Sequence, residues 1–195
     1  NLNAMNVDKV TLITNKEQIT KTRYVEEKAN HLILRVDSND KVMNSFDIKK
    51  IPFIEYDAVI VSDYNKGYLT YDDIETISNS HPLTFIDTKK SIDHRMKNYS
   101  FIKINEVEWE ACKGQNYTDW TGKLIVTMSE RGAMFDGVTY PVDNSAEVRD
   151  LSGAGDTFMA GLVVKYVETK DIVEAIKYAN ECASKVVQKK GVVTV

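Results

Sequence analysis

The sequence predicts an α/β fold in which helices cover a largely parallel sheet. Short and nearly continuous apolar segments alternate with helical segments, a pattern typical of strands that are buried on both faces. Four successive strands are each followed by a polar loop, which indicates a functional edge where strands end together. With 195 residues the chain can bury one good core, so we treat 1–195 as a single domain.

The first predicted element is a β-hairpin that projects from the body of this domain. Residues 22–26 and 31–36 are predicted strands joined by a polar tight turn. Both carry polar residues on both sides, unlike the later strands. The hairpin is therefore expected outside the main sheet.

The main sheet is predicted to begin after Pro52. Its four strands are 57–61, 83–86, 101–104 and 123–127, and Thr70-x-x-Asp73 resembles a capping box that opens a helix after the first strand. The polar clusters that follow the strands are centred on Asp63 and Lys66, Asp87 and Lys89, Asn105 and Glu108, and Thr127 and Ser129. Because ligands of open α/β sheets lie beyond the carboxyl ends of the strands, this recurrence favours a phosphate or nucleotide site.

The remaining elements are a short hairpin and two helices. Asp136-Gly137 is a turn signal between two short strands. One helix is predicted from about Asp156 to Glu168. The other has a single apolar stripe, formed by residues 172, 175, 176, 179, 183, 186 and 187.

Composition excludes several classes of function. A formal net charge of −4 argues against a general binder of nucleic acid or anionic membranes. Apolar runs such as 58–61 are too short to span a bilayer, and no signal peptide is visible. Cys112 and Cys182 lack metal-binding or redox spacing, so a cytoplasmic location is predicted.

Residues 150–156, Asp-Leu-Ser-Gly-Ala-Gly-Asp, form the most informative segment because an apolar helical pattern starts there. Unpaired amides at a helix start bind anions, and glycines let the backbone approach the anion closely. An acidic residue beside such a site has a natural task, which is to accept a proton from a hydroxyl that attacks a phosphoryl group. Asp156 is the candidate. The alternative is an ordinary glycine turn with Asp156 as a helix-start residue.

Residues 150–156 resemble the D-T-x-G-A-G-D signature of the ribokinase-like (PfkB) carbohydrate kinases, with Leu151 in place of the threonine. Further segments resemble the D-glycero-β-D-manno-heptose 7-phosphate kinases within that family, which feed ADP-heptose synthesis. They are Thr20–Tyr24, Leu34–Asp37, Ser62–Gly67, Asp87–Lys89, Asn105-x-x-Glu108, Val126–Gly132, Ala179-Asn180 and Lys190-Gly191. The segments occur in the family's order and cover nearly all of the chain.

The resemblance implies a ribokinase-like fold, ATP and Mg²⁺ as cofactors, and a sugar phosphate as substrate. It implies that Asp156 is the general base and that the amides of Gly153, Ala154 and Gly155 form an anion hole. Asn105 and Glu108 would lie near Mg²⁺ and its waters. Implied nucleotide contacts are Lys66, Lys89, Asn105, Thr127, Ser129, Gly132 and Asn180. Alternatives stay open: Asn105 as a helix N-cap, Ser129 as a turn former, and Lys66 as a solvated lysine.

The chain also departs from the family pattern. The family's sugar-binding half, with its G-D and G-G-A-A-N motifs, has no counterpart here, and the span 110–123 is shorter than usual. In the family the hairpin, here residues 20–37, is a lid over the sugar and often a dimer contact. We therefore expect a partial ribokinase-like domain that self-associates through this hairpin or through an exposed sheet edge.

These observations predict an ATP-dependent carbohydrate kinase that phosphorylates a hydroxyl of a phosphorylated sugar, with heptose 7-phosphate as the leading candidate. The alternative is a truncated, catalytically impaired module of the same fold that binds nucleotide or dimerises. An unrelated nucleotide-hydrolysing protein is disfavoured because the chain has no G-x-x-x-x-G-K-[ST] loop.

Overall fold

The computed structural model describes residues 1–16, 18–26, 31–42, 47–112, 117–142, 150–189, 191 and 193–194. Three parts of the sequence interpretation fall outside these residues: the turn of the first hairpin at 27–30, residues 113–116 of the shortened span 110–123, and Lys190. None of the helices in the described part of the chain has the length and apolar character that a membrane crossing requires.

The predicted hairpin is a separate two-stranded antiparallel sheet. Its strands are β1 (Thr20–Val25) and β2 (Leu32–Ser38), which pair from Thr20 opposite Ser38 to Val25 opposite Leu32. Nearly every residue of both strands is exposed, as expected for an element that lies outside the core.

Within the described residues the main sheet has six strands, arranged in the order of the chain. The strands β3 (Val59–Asp63), β4 (Thr84–Thr88), β5 (Phe101–Asn105) and β6 (Leu124–Thr127) are parallel neighbours. They are followed by the antiparallel strands β7 (Ala133–Phe135) and β8 (Val138–Tyr140). The prediction of a largely parallel α/β sheet is therefore confirmed.

The predicted bounds of the parallel strands need correction at their carboxyl ends. The prediction puts Asp63, Asp87 and Asn105 in the loops after the strands, whereas they belong to β3, β4 and β5. Asp63 is buried and pairs in the ladder with Thr88, whose hydroxyl donates to its carboxylate over 2.8 Å. A polar residue with such partners continues a strand, so polarity alone did not mark the strand end.

The described part of the chain contains the α-helices α1 (Tyr71–Ser80), α2 (Glu106–Cys112), α3 (Ala154–Thr169) and α4 (Ile172–Val187). Helix α1 has the predicted capping box, with reciprocal hydrogen bonds between Thr70 and Asp73. Helix α3 begins two residues before the predicted start because Gly153 adopts a left-handed conformation and serves as its N-cap.

The helices bury both faces of the sheet. Phe85 and Phe101 pack on one face with residues of α3 and α4, whereas Ile86 and Ile102 pack on the other face with residues of α1. This alternation follows from the two-residue period of a strand and explains the continuous apolar runs. Polar groups are therefore concentrated at the strand ends.

Candidate active site

A cleft of about 440 Å³ opens at the carboxyl edge of the four parallel strands. The start of α3 contributes the predicted residues Gly153, Ala154, Gly155 and Asp156 to its lining. The strand ends contribute four more of the predicted residues, Lys89, Asn105, Thr127 and Ser129. The structure thus brings the glycine-rich segment and the strand ends to one site.

The start of α3 is open in two respects. Gly153 has φ +82°, and as the N-cap it makes no side-chain hydrogen bond to the first amides of the helix. A Cβ atom on Gly155 would lie 3.0 Å from the Nζ atom of Lys103, so glycine lets that ammonium group approach the backbone. The amide of Ala154 is less free, because it donates to the carbonyl of Leu151 over 3.3 Å. This geometry suits an anion held against the backbone.

Asp156 is exposed and lines the cleft. The hydroxyl of Tyr64 donates to both of its carboxylate oxygens, over 2.9 and 3.0 Å. Tyr64 is 44% exposed, but partial desolvation of its hydroxyl and the nearby carboxylates of Asp156 and Asp87 raise the pKa of that hydroxyl, so Tyr64 remains a donor at physiological pH. Asp156 therefore has a fixed partner and still faces the cleft.

A buried ion pair lies behind the glycine-rich segment. Lys103, 4% exposed within β5, places its Nζ atom 2.6 Å from Oδ2 of Asp87. The other oxygen of Asp87, Oδ1, is buried without a hydrogen-bond partner among the described residues and lies 4.0 Å from Nζ of Lys89. Lysine is rarely buried without a charged partner or a function. The pair leaves a cation and an unused acceptor at the cleft.

Asn105 and Glu108 form a reciprocal cap at the start of α2. The Asn105 side chain accepts from the Glu108 amide over 2.9 Å, and the Glu108 carboxylate accepts from the Asn105 amide over 2.8 Å. Glu108 also forms an ion pair with Lys89. The alternative of Asn105 as a helix N-cap is thus what the structure shows. No group of three or more His, Cys, Asp or Glu residues in the described ranges is arranged to hold a metal ion.

The loop after β6 forms the opposite rim of the cleft. Ser129 has φ +52°, a conformation that few residues other than glycine adopt and that is often retained at functional sites. Gly132 lies behind the rim, where an added Cβ atom would be 2.1 Å from the carbonyl oxygen of Tyr140. The glycine at this position is needed for backbone packing, whether or not it also contacts a nucleotide.

Besides Gly132, two further predicted nucleotide contacts, Lys66 and Asn180, do not line the cleft, and neither does the predicted metal-site residue Glu108. Lys66 forms an ion pair with Asp40 over 2.8 Å, and this pairing lowers the pKa of the Asp40 carboxyl. Asn180 is buried on α4 and donates to the carbonyl of Tyr140 over 2.8 Å. Both side chains are held by partners that come from other elements of the chain.

A family profile described as "pfkB family carbohydrate kinase" matches residues 1–195. The chain belongs to this family. Curated relatives include the "Bifunctional protein HldE" of Helicobacter pylori strain G27, which is 32% identical over 97% of this chain and 47% of its own length. The protein of the same name from Nitratiruptor sp. is 34% identical over 92% of this chain and 44% of its own. The chain thus spans about half the length of these relatives.

Solved structures of similar fold agree with membership in the pfkB family. A ribokinase from Thermotoga maritima superposes with a TM-score of 0.66 at 16% identity, covering 88% of this chain and 63% of that one. A nucleoside kinase from Methanocaldococcus jannaschii superposes with a TM-score of 0.63 at 18% identity, covering 85% of this chain and 60% of that one. An Arabidopsis thaliana ribokinase complexed with ribose and ATP superposes with a TM-score of 0.57 at 20% identity, covering 69% of this chain and 51% of that one. The predicted ribokinase-like fold is confirmed.

Six residues that line the cleft were not predicted as site residues of this pfkB-family domain: Ser62, Asp63, Tyr64, Asp87, Lys103 and Leu151. Of these, Tyr64, Asp87 and Lys103 have polar side-chain groups that bond to one another or to predicted site residues. Tyr64 and Asp87 lie inside segments that resemble the family, but their side chains were not assigned a role. Lys103 did leave a signal, because it interrupts the otherwise apolar run Phe101–Ile104. A charged residue inside a buried strand indicates a specific partner.

Proposed function

We propose that this protein transfers the γ-phosphoryl group of ATP to a hydroxyl of a phosphorylated sugar, with heptose 7-phosphate as the acceptor. The observation that carries this proposal is the position of Asp156, at an uncapped glycine-rich helix start inside the cleft. Family membership and the ATP complex of the Arabidopsis ribokinase support ATP as the donor.

Asp156 acts as the general base in this proposal. Its carboxylate takes the proton of the acceptor hydroxyl while the hydroxyl oxygen forms a bond to the γ-phosphorus. The bond from that phosphorus to the β–γ bridging oxygen breaks, and ADP leaves with the electron pair. The amides of Gly153, Ala154 and Gly155 stabilise the negative charge that spreads over the transferring group.

Lys103 and Lys89 supply positive charge to the same site. The ammonium group of Lys103 adjoins Gly155, so a phosphate held at the glycine-rich segment would lie beside a buried cation. Charge is stabilised most strongly where water is excluded, as around Lys103. Lys89 lies at the more exposed side of the cleft, where its pairing with Glu108 orients it.

The cleft also fits Mg²⁺ held mainly through nucleotide phosphates and water. When bound, Mg²⁺ would neutralise negative charge on the phosphates during transfer. The unpartnered Oδ1 atom of Asp87 and the side chain of Asn105 offer acceptors for metal-bound water, and Glu108 lies directly beyond Asn105. Mg²⁺ in proteins usually keeps several of its water ligands and makes few direct contacts with protein oxygen atoms.

The choice of a heptose phosphate rests on motifs, because the fold is shared by kinases that are named for ribose and for nucleosides. Residues 20–24 and 62–67 are among the segments that resemble the heptose 7-phosphate kinases, and the curated relatives named HldE match across both. We place this activity in the cytoplasm, in agreement with free Cys112 and Cys182.

The proposed partner is a second copy of the chain. The hairpin exposes large apolar side chains, among them Ile33 at 70% and Leu32 at 58%. Strand β3 is the outer strand of the main sheet in the described residues. Either surface would be shielded by pairing. Light scattering at micromolar concentration should give at least twice the mass of the chain, and a monomer mass would contradict this proposal.

A second candidate function is a module that binds nucleotide without catalysis. It is favoured by the Asp156 carboxylate, because both of its oxygens already accept from the Tyr64 hydroxyl. In this case the nucleotide side of the cleft would be present and the sugar phosphate would not be phosphorylated.

Two measurements separate the candidates. Isothermal titration with ATP and Mg²⁺ reports nucleotide binding, and a coupled ADP-release assay reports turnover on heptose 7-phosphate, fructose 6-phosphate and ribose. The kinase proposal predicts binding together with ADP release that depends on a sugar phosphate. Binding with no ADP release above the sugar-free background would support the module, and absence of binding would contradict both.

A further inference from the structure

Tyr64 is held in a rigid backbone position at the rim of the cleft. It directly follows Asp63, whose buried carboxylate accepts from Thr88 over 2.8 Å and from Lys90 over 2.7 Å. The next residue, Asn65, has φ +54° and donates its amide to the same carboxylate over 3.0 Å. Because the residues on either side are fixed by hydrogen bonds, the Tyr64 ring projects from an anchored segment.

The Tyr64 side chain contacts two separate parts of the molecule. Its hydroxyl donates to both oxygens of Asp156, and the Nζ atom of Lys21 lies 4.5 Å from its ring centroid. Lys21 belongs to β1 of the projecting hairpin. A cation over an aromatic face is attracted by the ring, so the hairpin and the carboxylate meet at one side chain.

The hydroxyl of Tyr64 is the same kind of group that the proposed reaction must place at Asp156. A sugar hydroxyl has to donate to that carboxylate before its proton is transferred. Two oxygens are available, so Tyr64 can keep one while the sugar hydroxyl takes the other. Tyr64 does not compete with Asp156 for the proton of the sugar hydroxyl. Partial desolvation and the nearby carboxylates raise the pKa of the Tyr64 hydroxyl and keep it protonated.

We propose that Tyr64 is a positioning residue that fixes the Asp156 carboxylate for the acceptor hydroxyl, and that Lys21 links this contact to the placement of the hairpin. This inference rests on the proposed role of Asp156 as the base. A hairpin that shifts would move Lys21 on the ring and change how firmly the carboxylate is held.

The molecule contains a matched arrangement outside the cleft. The Nζ atom of Lys9 lies 5.1 Å from the ring centroid of Tyr56, and the Tyr56 hydroxyl donates to Thr11 over 2.8 Å. None of these three residues lines the cleft. Lys9→Met and Tyr56→Phe therefore remove the same chemical groups as Lys21→Met and Tyr64→Phe, without touching the site.

Kinetics test the positioning role where turnover is measured. Tyr64→Phe should lower kcat about tenfold or more while the KM for ATP stays unchanged, because misorientation of a catalytic group is costly. Lys21→Met should lower kcat about threefold in the wild-type background and have no further effect in Tyr64→Phe. Equal effects of Lys21→Met in both backgrounds would overturn the link.

A second measurement needs no turnover and separates this inference from the proposed function. Tyr64 is replaced by 3-fluorotyrosine and observed by ¹⁹F NMR in the full chain. Asp156→Asn and Lys21→Met should each shift the resonance, whereas Lys9→Met should leave it in place. If neither Asp156→Asn nor Lys21→Met shifted the resonance, the inference would be overturned. Failure of ADP release in the wild-type chain would instead overturn the proposed function.

Discussion

Helices α2 and α3 both start at the same cleft, but the amides of their first turns differ in whether a side chain caps them. At α2, Asn105 and Glu108 satisfy each other's amides through a reciprocal cap. At α3 the N-cap is Gly153, which has no side chain to offer. Among the helices of the described ranges, α1 and α4 also have side-chain caps, from Thr70 and Asp171.

The difference indicates where an anion would bind. Amides already bonded to a side chain have little left to offer a ligand, whereas uncapped amides carry the positive end of the helix dipole into the cleft. The α3 start also has Lys103 behind it and Asp156 in its first turn. We therefore assign phosphoryl transfer to α3 and a supporting role in metal binding to α2.

The variant Asp156→Asn is the strongest test of this assignment, because it should have the largest effect. Loss of the general base should lower kcat about 10²- to 10⁴-fold, with the affinity for ATP unchanged, because the amide keeps the shape but cannot take the proton. Asp171→Asn is the control, since it changes a helix-capping carboxylate on α4 remote from the cleft. Equal losses of kcat and ATP affinity in Asp156→Asn would argue against a base.

A smaller effect is expected from Gly153→Ala. A Cβ atom at φ +82° costs about 1–2 kcal/mol of stability and disturbs the uncapped helix start. Gly122→Ala is a matched control, because Gly122 has φ +74°, an added Cβ atom would meet no atom of the described residues within 4 Å, and the position is outside the cleft.

Both variants should lose similar free energy of unfolding in urea titrations. Only Gly153→Ala should also weaken ATP binding, by about tenfold, which corresponds to about 1.4 kcal/mol. If the two variants bound ATP equally well, the α3 start would not be the anion site.

Asn105→Ala tests the capped helix. Removing the cap acceptor should cost about 1 kcal/mol of stability, the usual value for an N-cap side chain. Thr70→Ala removes the equivalent acceptor from α1, away from the cleft. We expect Asn105→Ala and Thr70→Ala to lose equal stability. Only Asn105→Ala should require a higher Mg²⁺ concentration for ADP release. A Mg²⁺ titration of ADP release that is identical for the two variants would assign Asn105 to capping only.

The smallest expected effect concerns the loop that leads into α3. The Ser152 amide lowers the pKa of Asp150, and the amide of Gly191 adds to this effect. A folded-state pKa below the unfolded value of about 3.9 stabilises the fold above that pH and stops doing so as the pH falls through the folded pKa.

Asp150→Asn should therefore cost about 0.5–1 kcal/mol at pH 7, the range for a single hydrogen bond, and progressively less below pH 4. Urea unfolding of both proteins at pH 7 and at pH 3 checks this. A difference in stability that stays constant between the two pH values would show that the charge of Asp150 plays no part.

Local signals explain why much of the fold could be predicted from the sequence. The turn at Asp136-Gly137 needs two residues with positive φ, and both have it, at 48° and 78°. The capping box of Thr70 and Asp73 depends on a spacing within one helical turn. The glycine-rich start of α3 likewise depends on residues that are adjacent in the chain.

The identity of the side chains that face the cleft depends on contacts between distant residues. Lys66 and Lys103 are both lysines near strand ends, but Lys66 pairs with Asp40, 26 residues away, and Lys103 with Asp87, 16 residues away. Only the second pair lies in the cleft. Asn180 bonds to Tyr140 across 40 residues. Such pairings follow from the packing of sheet and helices, which a sequence pattern does not contain.

A crystal structure with Mg²⁺ and a non-hydrolysable ATP analogue tests the assignment to α3 most directly. We expect the γ-phosphate within hydrogen-bond distance of the amides of Gly153–Gly155, with the Asp156 carboxylate facing the open side of that phosphate. Phosphates bound at the start of α2, or outside the cleft while the start of α3 holds no ligand, would contradict the assignment.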